Sequence, residues 1–173
     1  MKQLVLGVGN TLQGDDGVGH YVVERLNSML NDVSQHPDPA GTTGQELLAV
    51  DCGTIPESFT SLVRRHRPDS LVIVDAAHMG LAAGAVRTIP PHRINVLYAS
   101  THSLPLSLLI TYLADLCGEV TLVGVQPRTM EFGSDTLSSP VKDAADMLVR
   151  LILERQLWRL ELLEGTRGFG GLM

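Results

Sequence analysis

The sequence is poor in cysteine and in basic residues, and it contains no long hydrophobic run. Two cysteines, Cys52 and Cys117, occur among 173 residues, which excludes a disulfide framework and is typical of a reducing cytosol. Thirteen Lys and Arg face nineteen Asp and Glu, giving a formal net charge of −6, whereas a nucleic-acid-binding protein would show a basic face. No window approaches the roughly 18 apolar residues of a membrane-spanning helix. We therefore expect a cytoplasmic protein that binds neither nucleic acid nor membranes.

The length and composition are those of a globular domain. Hydrophobic residues make up 44% of the chain and charged residues 18%, and a chain of this length buries about 70% of its unfolded surface. The apolar run in MKQLVLGVGN is too short for a signal peptide. We predict one domain spanning 1–173, with a surface loop at 31–45, a mobile tail at 164–173 and a monomeric state.

Short β-type runs alternate with longer helical patterns along the chain. The predicted strands are 3–8, 46–52, 70–76, 84–89 and 119–125; the predicted helices are 16–30, one opening at Thr54, 103–117 and about 140–162. Thr54 with Glu57 suggests a capping box, and Ser139 suggests the N-cap of the last helix. This alternation predicts an α/β fold: a three-layer, doubly wound, twisted sheet of about five mostly parallel strands, with helices on both faces and an antiparallel edge strand.

The first strand runs into the glycine-rich stretch LGVGNTLQGDDGVG. A dinucleotide-binding fingerprint begins correctly with Gly7 and Gly9, but its third glycine is replaced by Leu12. The lysine of a phosphate-binding loop is absent as well. Asp15 and Asp16 would oppose a phosphate at this helix N-terminus, so the pattern disfavours nucleotide binding.

Two adjacent carboxylates in this turn suggest a cation instead. One of them, Asp15, can be explained as a cap on the following helix, because acidic residues suit its positive end. Capping needs only one carboxylate, so it does not explain the second one, Asp16. The surrounding glycines would let a ligand approach the backbone closely. Because a carboxylate attracts a cation, the expected ligand is a cation.

Further candidate ligands lie where a doubly wound sheet builds its sites, beyond the carboxyl ends of the strands. Asp75 ends the most apolar strand, where a charge is costly to bury unless it is paired or binds a metal. His102 lies just before a helix, and one imidazole with two carboxylates suits a borderline divalent metal. His78 is a rival ligand, and Asp51 also ends a strand. Capping and local hydrogen bonds remain alternatives for each of these residues.

The motifs, taken together and in order, resemble the [NiFe]-hydrogenase maturation endopeptidases. They are GVGNTLQGDDGVG, VDCGTIPE, LVIVDAAHMGLAAGAVR, STHSLPL and GVQP with the FG and LS that follow it. The resemblance covers about residues 3–150 and is greatest to the branch that processes the hydrogenase 3 large subunit.

The resemblance implies an endopeptidase that removes a C-terminal peptide from the hydrogenase large-subunit precursor after nickel insertion. The metal-contacting residues of the family fall on Asp16, Asp75 and His102, and the acid of its Asp-Gly-Gly turn falls on Asp51. Cys52 replaces the first glycine of that turn, and no base accompanies it to make it a nucleophile. Catalysis would rest on Asp16, Asp75 and Asp51.

The implied cofactor is nickel supplied by the substrate, with no tightly bound cofactor of the chain's own. The implied partners are the large-subunit precursor and its maturation chaperones. Nickel would polarise the scissile carbonyl or lower the pKa of a bound water. Two alternatives remain: a metallohydrolase with its own zinc, and a non-enzymatic nickel-binding chaperone.

Overall fold

A computed structural model of the chain describes residues 1–35, 46–97 and 106–164. The strands are β1 (Lys2–Gly7), β2 (Glu46–Asp51), β3 (Ser70–Ala76), β4 (Val86–Thr88) and β5 (Glu119–Val125). The α-helices are α1 (Val18–Gln35), α2 (Thr60–His66), α3 (Pro91–Leu97), α4 (Leu106–Ala114) and α5 (Ser139–Leu153), and 3-10 helices span Gly14–Gly17, Pro56–Phe59 and Leu157–Arg159.

The five strands form one sheet in the order β2-β1-β3-β5-β4. The first four in this order are parallel, and β4 pairs antiparallel with β5 at the edge. Gly7 of β1 lies between Asp51 of β2 and Val74 of β3. The predicted doubly wound α/β fold with an antiparallel edge strand is confirmed.

Each face of the sheet carries its own apolar core, because successive side chains along a strand point to opposite faces. On one face, Val5, Val72 and Val74 pack with α1 and α5. On the other face, residues of the same two strands, such as Leu6 and Ile73, pack with α2, α3 and α4. Helices therefore cover both faces, and the open edge at the carboxyl ends of the strands is left for a site.

The strands match their predicted bounds closely, but the helix ends differ. The last helix stops at Leu153 rather than near 162, because Arg155 adopts a left-handed φ of 55° and Gln156 N–H donates back to the Leu151 carbonyl. Its N-cap is Ser138 rather than Ser139. Within the predicted loop 31–45, helix α1 continues to Gln35, since no glycine or proline interrupts it before Pro37.

One prediction about a helix start is wrong, and one helix was not predicted. The predicted capping box at Thr54 does not form, because the helix there starts at Pro56 and its N-cap is Ile55, which makes no side-chain capping hydrogen bond. Helix α3 was not predicted, although Pro91 at its first position is a common helix start.

None of the helices in the described residues has the length and apolar character that a membrane span requires.

Candidate functional site

The turn between β1 and α1 is closely packed against the protein's own backbone. A Cβ on Gly9, which has a φ of 135°, would lie 1.8 Å from the Asp16 carbonyl oxygen. A Cβ on Gly19 would lie 2.4 Å from the Val8 amide nitrogen. These glycines therefore allow the turn and the first residues of α1 to sit directly on the strand ends. The sequence predicts that these glycines let a ligand approach the backbone, but the nearest atoms to both are backbone atoms of the chain itself.

The two neighbouring aspartates have different surroundings. Asp15 is fully buried, and its carboxylate accepts hydrogen bonds from the amides of Arg128, Thr129 and Ser138 and from the Ser138 hydroxyl, at 2.6–3.1 Å. Burial raises the pKa of this carboxyl, but the hydrogen bonds from Ser138, Thr129 and Arg128 outweigh it and hold the pKa below the ordinary value. Asp15 thus ties the turn to the segment before α5 and does not cap α1.

Asp16 lies in the 3-10 helix Gly14–Gly17, which contacts β3. Its side chain is half-buried, and its Oδ2 accepts a hydrogen bond of 2.8 Å from the Asn10 amide. The backbone of the same turn therefore fixes the orientation of the Asp16 carboxylate. Asp16 remains at the carboxyl edge of the sheet, where the sequence predicts the site.

Asp75 is buried, with 3% of its surface exposed, near the carboxyl end of the central strand β3. Leu71 and Ile73 belong to the core on the α2–α4 face, and strand alternation assigns Asp75 to the same face. Helix α4, which begins at Leu106, packs on that face and follows His102 in the chain. His102 itself lies outside the described residues, so the three-residue metal set stays a prediction.

Asp51 lies apart from Asp75. It ends β2, which is separated from β3 by β1, so about 10 Å of sheet lies between the two strands. Its Oδ2 lies 2.7 Å from His20 Nδ1, and its Oδ1 accepts from the Gly53 amide at 3.0 Å. Because His20 belongs to α1, Asp51 faces the opposite side of the sheet from Asp75.

Sequence reasoning missed two residues that shape this edge. His20 lies one helical turn after Asp16, and that i, i+4 spacing was an available signal. Gln126 is 7% exposed, and its Oε1 accepts from the amides of Met79 and Leu81 at 2.7 and 3.3 Å. It thereby holds the turn that follows Asp75. The available signal was its position, because Gln126 is a polar residue directly after the apolar strand β5.

Two other candidates have surroundings that limit their roles. His78 is exposed, just beyond β3. Cys52 is 3% exposed, and burial together with the nearby Asp51 charge raises the pKa of its thiol to about 12. A thiol held protonated is a poor nucleophile, which agrees with the prediction that Cys52 is not catalytic.

Among the described residues, no three His, Cys, Asp or Glu side chains are grouped closely enough to hold a metal ion. The described part of the site supplies Asp16 and Asp75 as the two predicted carboxylate ligands. Carboxylates with one imidazole are a donor set suited to a borderline divalent metal.

Comparisons with known proteins agree with this fold and its motifs. The family model HycI, described as hydrogenase maturation protease, matches residues 21–155. The hydrogenase 3 maturation protease of Escherichia coli strain K12 is 34% identical over 173 residues, covering 99% of this chain and 97% of that protein.

Solved structures give the same result. The solution structure of the endopeptidase HycI from Escherichia coli has a TM-score of 0.74 and 31% identity, covering 95% of this chain and 97% of that one. The crystal structure of a [NiFe] hydrogenase maturation protease HycI from Thermococcus kodakarensis has a TM-score of 0.72 and 30% identity, covering 90% and 92%. This chain therefore belongs to the hydrogenase maturation protease family and is an endopeptidase.

Proposed function

We propose that this endopeptidase removes a C-terminal peptide from the precursor of a [NiFe]-hydrogenase large subunit after nickel has been inserted. The observation that carries the proposal is the position of Asp75. It is a nearly fully buried carboxylate at the carboxyl end of the central strand, beside the helical turn that carries Asp16. Carboxylate oxygens are suitable ligands for a divalent cation, and this position places one at the carboxyl edge of the sheet. A cation delivered by the substrate would be stabilised at this edge.

In this proposal the nickel of the precursor is the recognition element. Asp16, Asp75 and His102 would contact it and so bring the scissile peptide to the carboxyl edge of the sheet. Nickel can polarise a carbonyl or lower the pKa of a bound water, and either effect promotes peptide hydrolysis. The carboxylates would offset the charge of the metal.

Proton transfer is assigned to Asp51 or Asp16. Asp51 is joined to His20 through a contact of 2.7 Å between its Oδ2 and Nδ1 of the ring. A carboxylate that orients an imidazole in this way is a recurring arrangement in hydrolases. If Asp51 takes part, His20 would carry the proton to or from it.

We place the reaction in the cytoplasm, with the protein acting as a monomer and with maturation chaperones delivering the precursor. The acidic net charge and the two unpaired cysteines support this setting.

The proposal is tested by measuring the mass of a nickel-loaded large-subunit precursor before and after incubation with the protein. We expect the precursor to lose a C-terminal peptide, and the nickel-free precursor to remain intact. Asp16→Asn, Asp75→Asn and His102→Ala should each slow cleavage by at least about 100-fold, the scale of removing one group that acts on the transition state. Asp115→Asn changes an exposed aspartate beyond α4 and should cleave like the wild type.

Two outcomes would contradict separate parts of the proposal. Equal cleavage of nickel-free and nickel-loaded precursor would rule out recognition through the metal. Full activity of Asp16→Asn and His102→Ala would rule out the assigned site while leaving the protease activity in place.

A further inference from the structure

A groove of about 420 Å³ lies beside the turn that carries Asp16. One wall comes from this turn and from the outward face of α1, and the other from the segment before α5 and its first turn. The residues that define it include Leu12, Gly17, His20 and Tyr21 on the first wall and Leu137 and Lys142 on the second.

Two exposed apolar residues belong to the segments that meet beside this groove: Leu12, which lines it, and Phe132, three residues before Asp135 of its lining. Leu12 is 52% exposed and Phe132 is 77% exposed. The amide of Gly133, which follows Phe132, donates to the Leu12 carbonyl at 2.7 Å, so the backbones of the two segments are in contact. The Leu12 amide in turn donates to Asn10 Oδ1 at 2.9 Å, so the turn holds Leu12 outward. An exposed apolar side chain next to a groove can contribute to a binding surface when a partner covers it.

The charges of the groove indicate the class of its occupant. Glu24 and Asp135 are carboxylates and Lys142 is an ammonium group, so the lining has mixed charge. A nucleic acid or an anionic lipid surface would require a basic face. The volume accommodates a few residues of an extended chain and lies in the range of ligand clefts. A dimer with a second copy needs about 800 Å² on each partner, far more than this groove provides.

The groove is continuous with the candidate site. Gly14 and Gly17, the residues that flank the two aspartates, form part of its floor. His20 lines it too and contacts Asp51 at 2.7 Å. A polypeptide whose scissile bond lies at the carboxyl edge of the sheet would therefore continue into this groove.

We propose that the groove binds an extended segment of the precursor beside the scissile bond, with a large apolar side chain of that segment against Leu12 and Phe132. The proposal rests on the proposed function, because it takes the precursor as the substrate. It adds a surface that recognises the polypeptide itself, in addition to the metal.

Photo-crosslinking tests the occupant directly. Leu12→p-benzoylphenylalanine in the full chain is mixed with nickel-loaded precursor and irradiated, and Trp158→p-benzoylphenylalanine serves as the matched control. Trp158 is 79% exposed and lies at the amino ends of the strands. We expect a crosslink to the precursor from position 12 and none from position 158. A crosslink from position 12 to a second copy of the chain, equal yields at both positions, or no crosslink at position 12 would overturn the proposal.

Steady-state kinetics separates docking from the chemical step. The double variant Leu12→Ser, Phe132→Ser should raise KM for the precursor about tenfold with kcat unchanged, since it removes apolar contacts made equally before and during the reaction. Trp158→Ser should match the wild type. An unchanged KM, or a loss confined to kcat, would overturn the proposal. If the wild type itself leaves the precursor intact, the proposed function fails, and the crosslink still reports docking on its own.

Discussion

At the residue scale, neighbouring carboxylates in one turn have different roles because their surroundings differ. Asp15 is fully buried and takes four hydrogen bonds from the 128–138 segment, whereas Asp16 is half-buried at the edge of the site. The interactions of Asp15 join two loops that are more than 100 residues apart in the chain. This carboxylate therefore fixes the geometry of the turn that presents Asp16.

Asp15→Asn should lower the free energy of unfolding by about 3 kcal/mol at neutral pH, since an amide cannot accept all the hydrogen bonds that the buried carboxylate accepts. The pKa of Asp15 is lower in the folded chain than its ordinary value of 3.8. The stabilisation is therefore fully present above about pH 5 and is lost as the pH falls through the folded pKa. Urea unfolding at pH 7 and at about pH 3 checks this.

The difference in stability between wild type and Asp15→Asn should shrink in acid. Ser138→Ala, which removes only the hydroxyl donor, should cost about 1 kcal/mol at pH 7. A difference that is as large at acid pH as at neutral pH would show that the Asp15 carboxylate is not stabilised in its charged form.

Sequence reasoning identified Asp75 as a charge at the end of an apolar strand and Asp16 as a second carboxylate in a glycine-rich turn, because both features are visible in the order of residues. Its suggestion that Asp15 caps the following helix is wrong. The partners of Asp15 lie at Arg128, Thr129 and Ser138, and nothing local to the turn indicates that the chain returns there.

At the element scale, the junction between α1 and the sheet packs backbone directly against backbone. A Cβ on Gly19 would lie 2.4 Å from both the nitrogen and the oxygen of Val8, and 2.7 Å from the Val74 carbonyl oxygen. All three atoms are backbone, so no side chain can move aside. The start of α1 is therefore held on β1 and β3, and Asp16 with it.

Gly19→Ala should destabilise the protein by at least about 2 kcal/mol, because overpacking against backbone forces the helix away from the strands. For a chain of this size this corresponds to a fall in Tm of roughly 4–8 °C. Gly53→Ala is the matched control. Its Cβ would meet nothing within 4 Å, and its cost of about 1 kcal/mol arises from a φ of 54° alone. Thermal unfolding of both variants measures the difference, and equal values would contradict the packing argument.

The strands were predictable because apolar runs such as SLVIVDA match β3 residue for residue. Helix ends were less predictable, since they depend on single backbone conformations. Arg155 follows α5 with a left-handed φ of 55°. Arginine rarely adopts this conformation, so the sequence does not indicate that the helix ends here.

At the scale of the whole molecule, the two ends of the sheet differ in character. The candidate site occupies the carboxyl edge. At the amino edge lies a separate groove of about 520 Å³, bordered by Trp158, Leu160 and Leu162. The described residues that we connect with cleavage lie at the carboxyl edge, so changes at the amino edge should leave cleavage intact.

The metal content of the purified protein distinguishes substrate-supplied nickel from a resident zinc. Protein prepared without added metal should contain far less than one equivalent of zinc or nickel, and it should cleave nickel-loaded precursor after treatment with a chelator that is then removed. Elemental analysis and the mass assay check this. Stoichiometric zinc whose removal abolishes cleavage would instead support a zinc hydrolase.

By itself, the sequence determined the α/β class, the five strands and the carboxylates at their ends, because hydrophobic periodicity and strand-end polarity are local properties of the chain. Only the tertiary structure decided which partners these carboxylates have. It placed Asp15 under the segment before α5, and Asp51 beside His20 on the face of the sheet opposite Asp75. Such pairings depend on strand order and on the face toward which each side chain points. Strand order is set by packing between residues far apart in the chain, which no local pattern encodes.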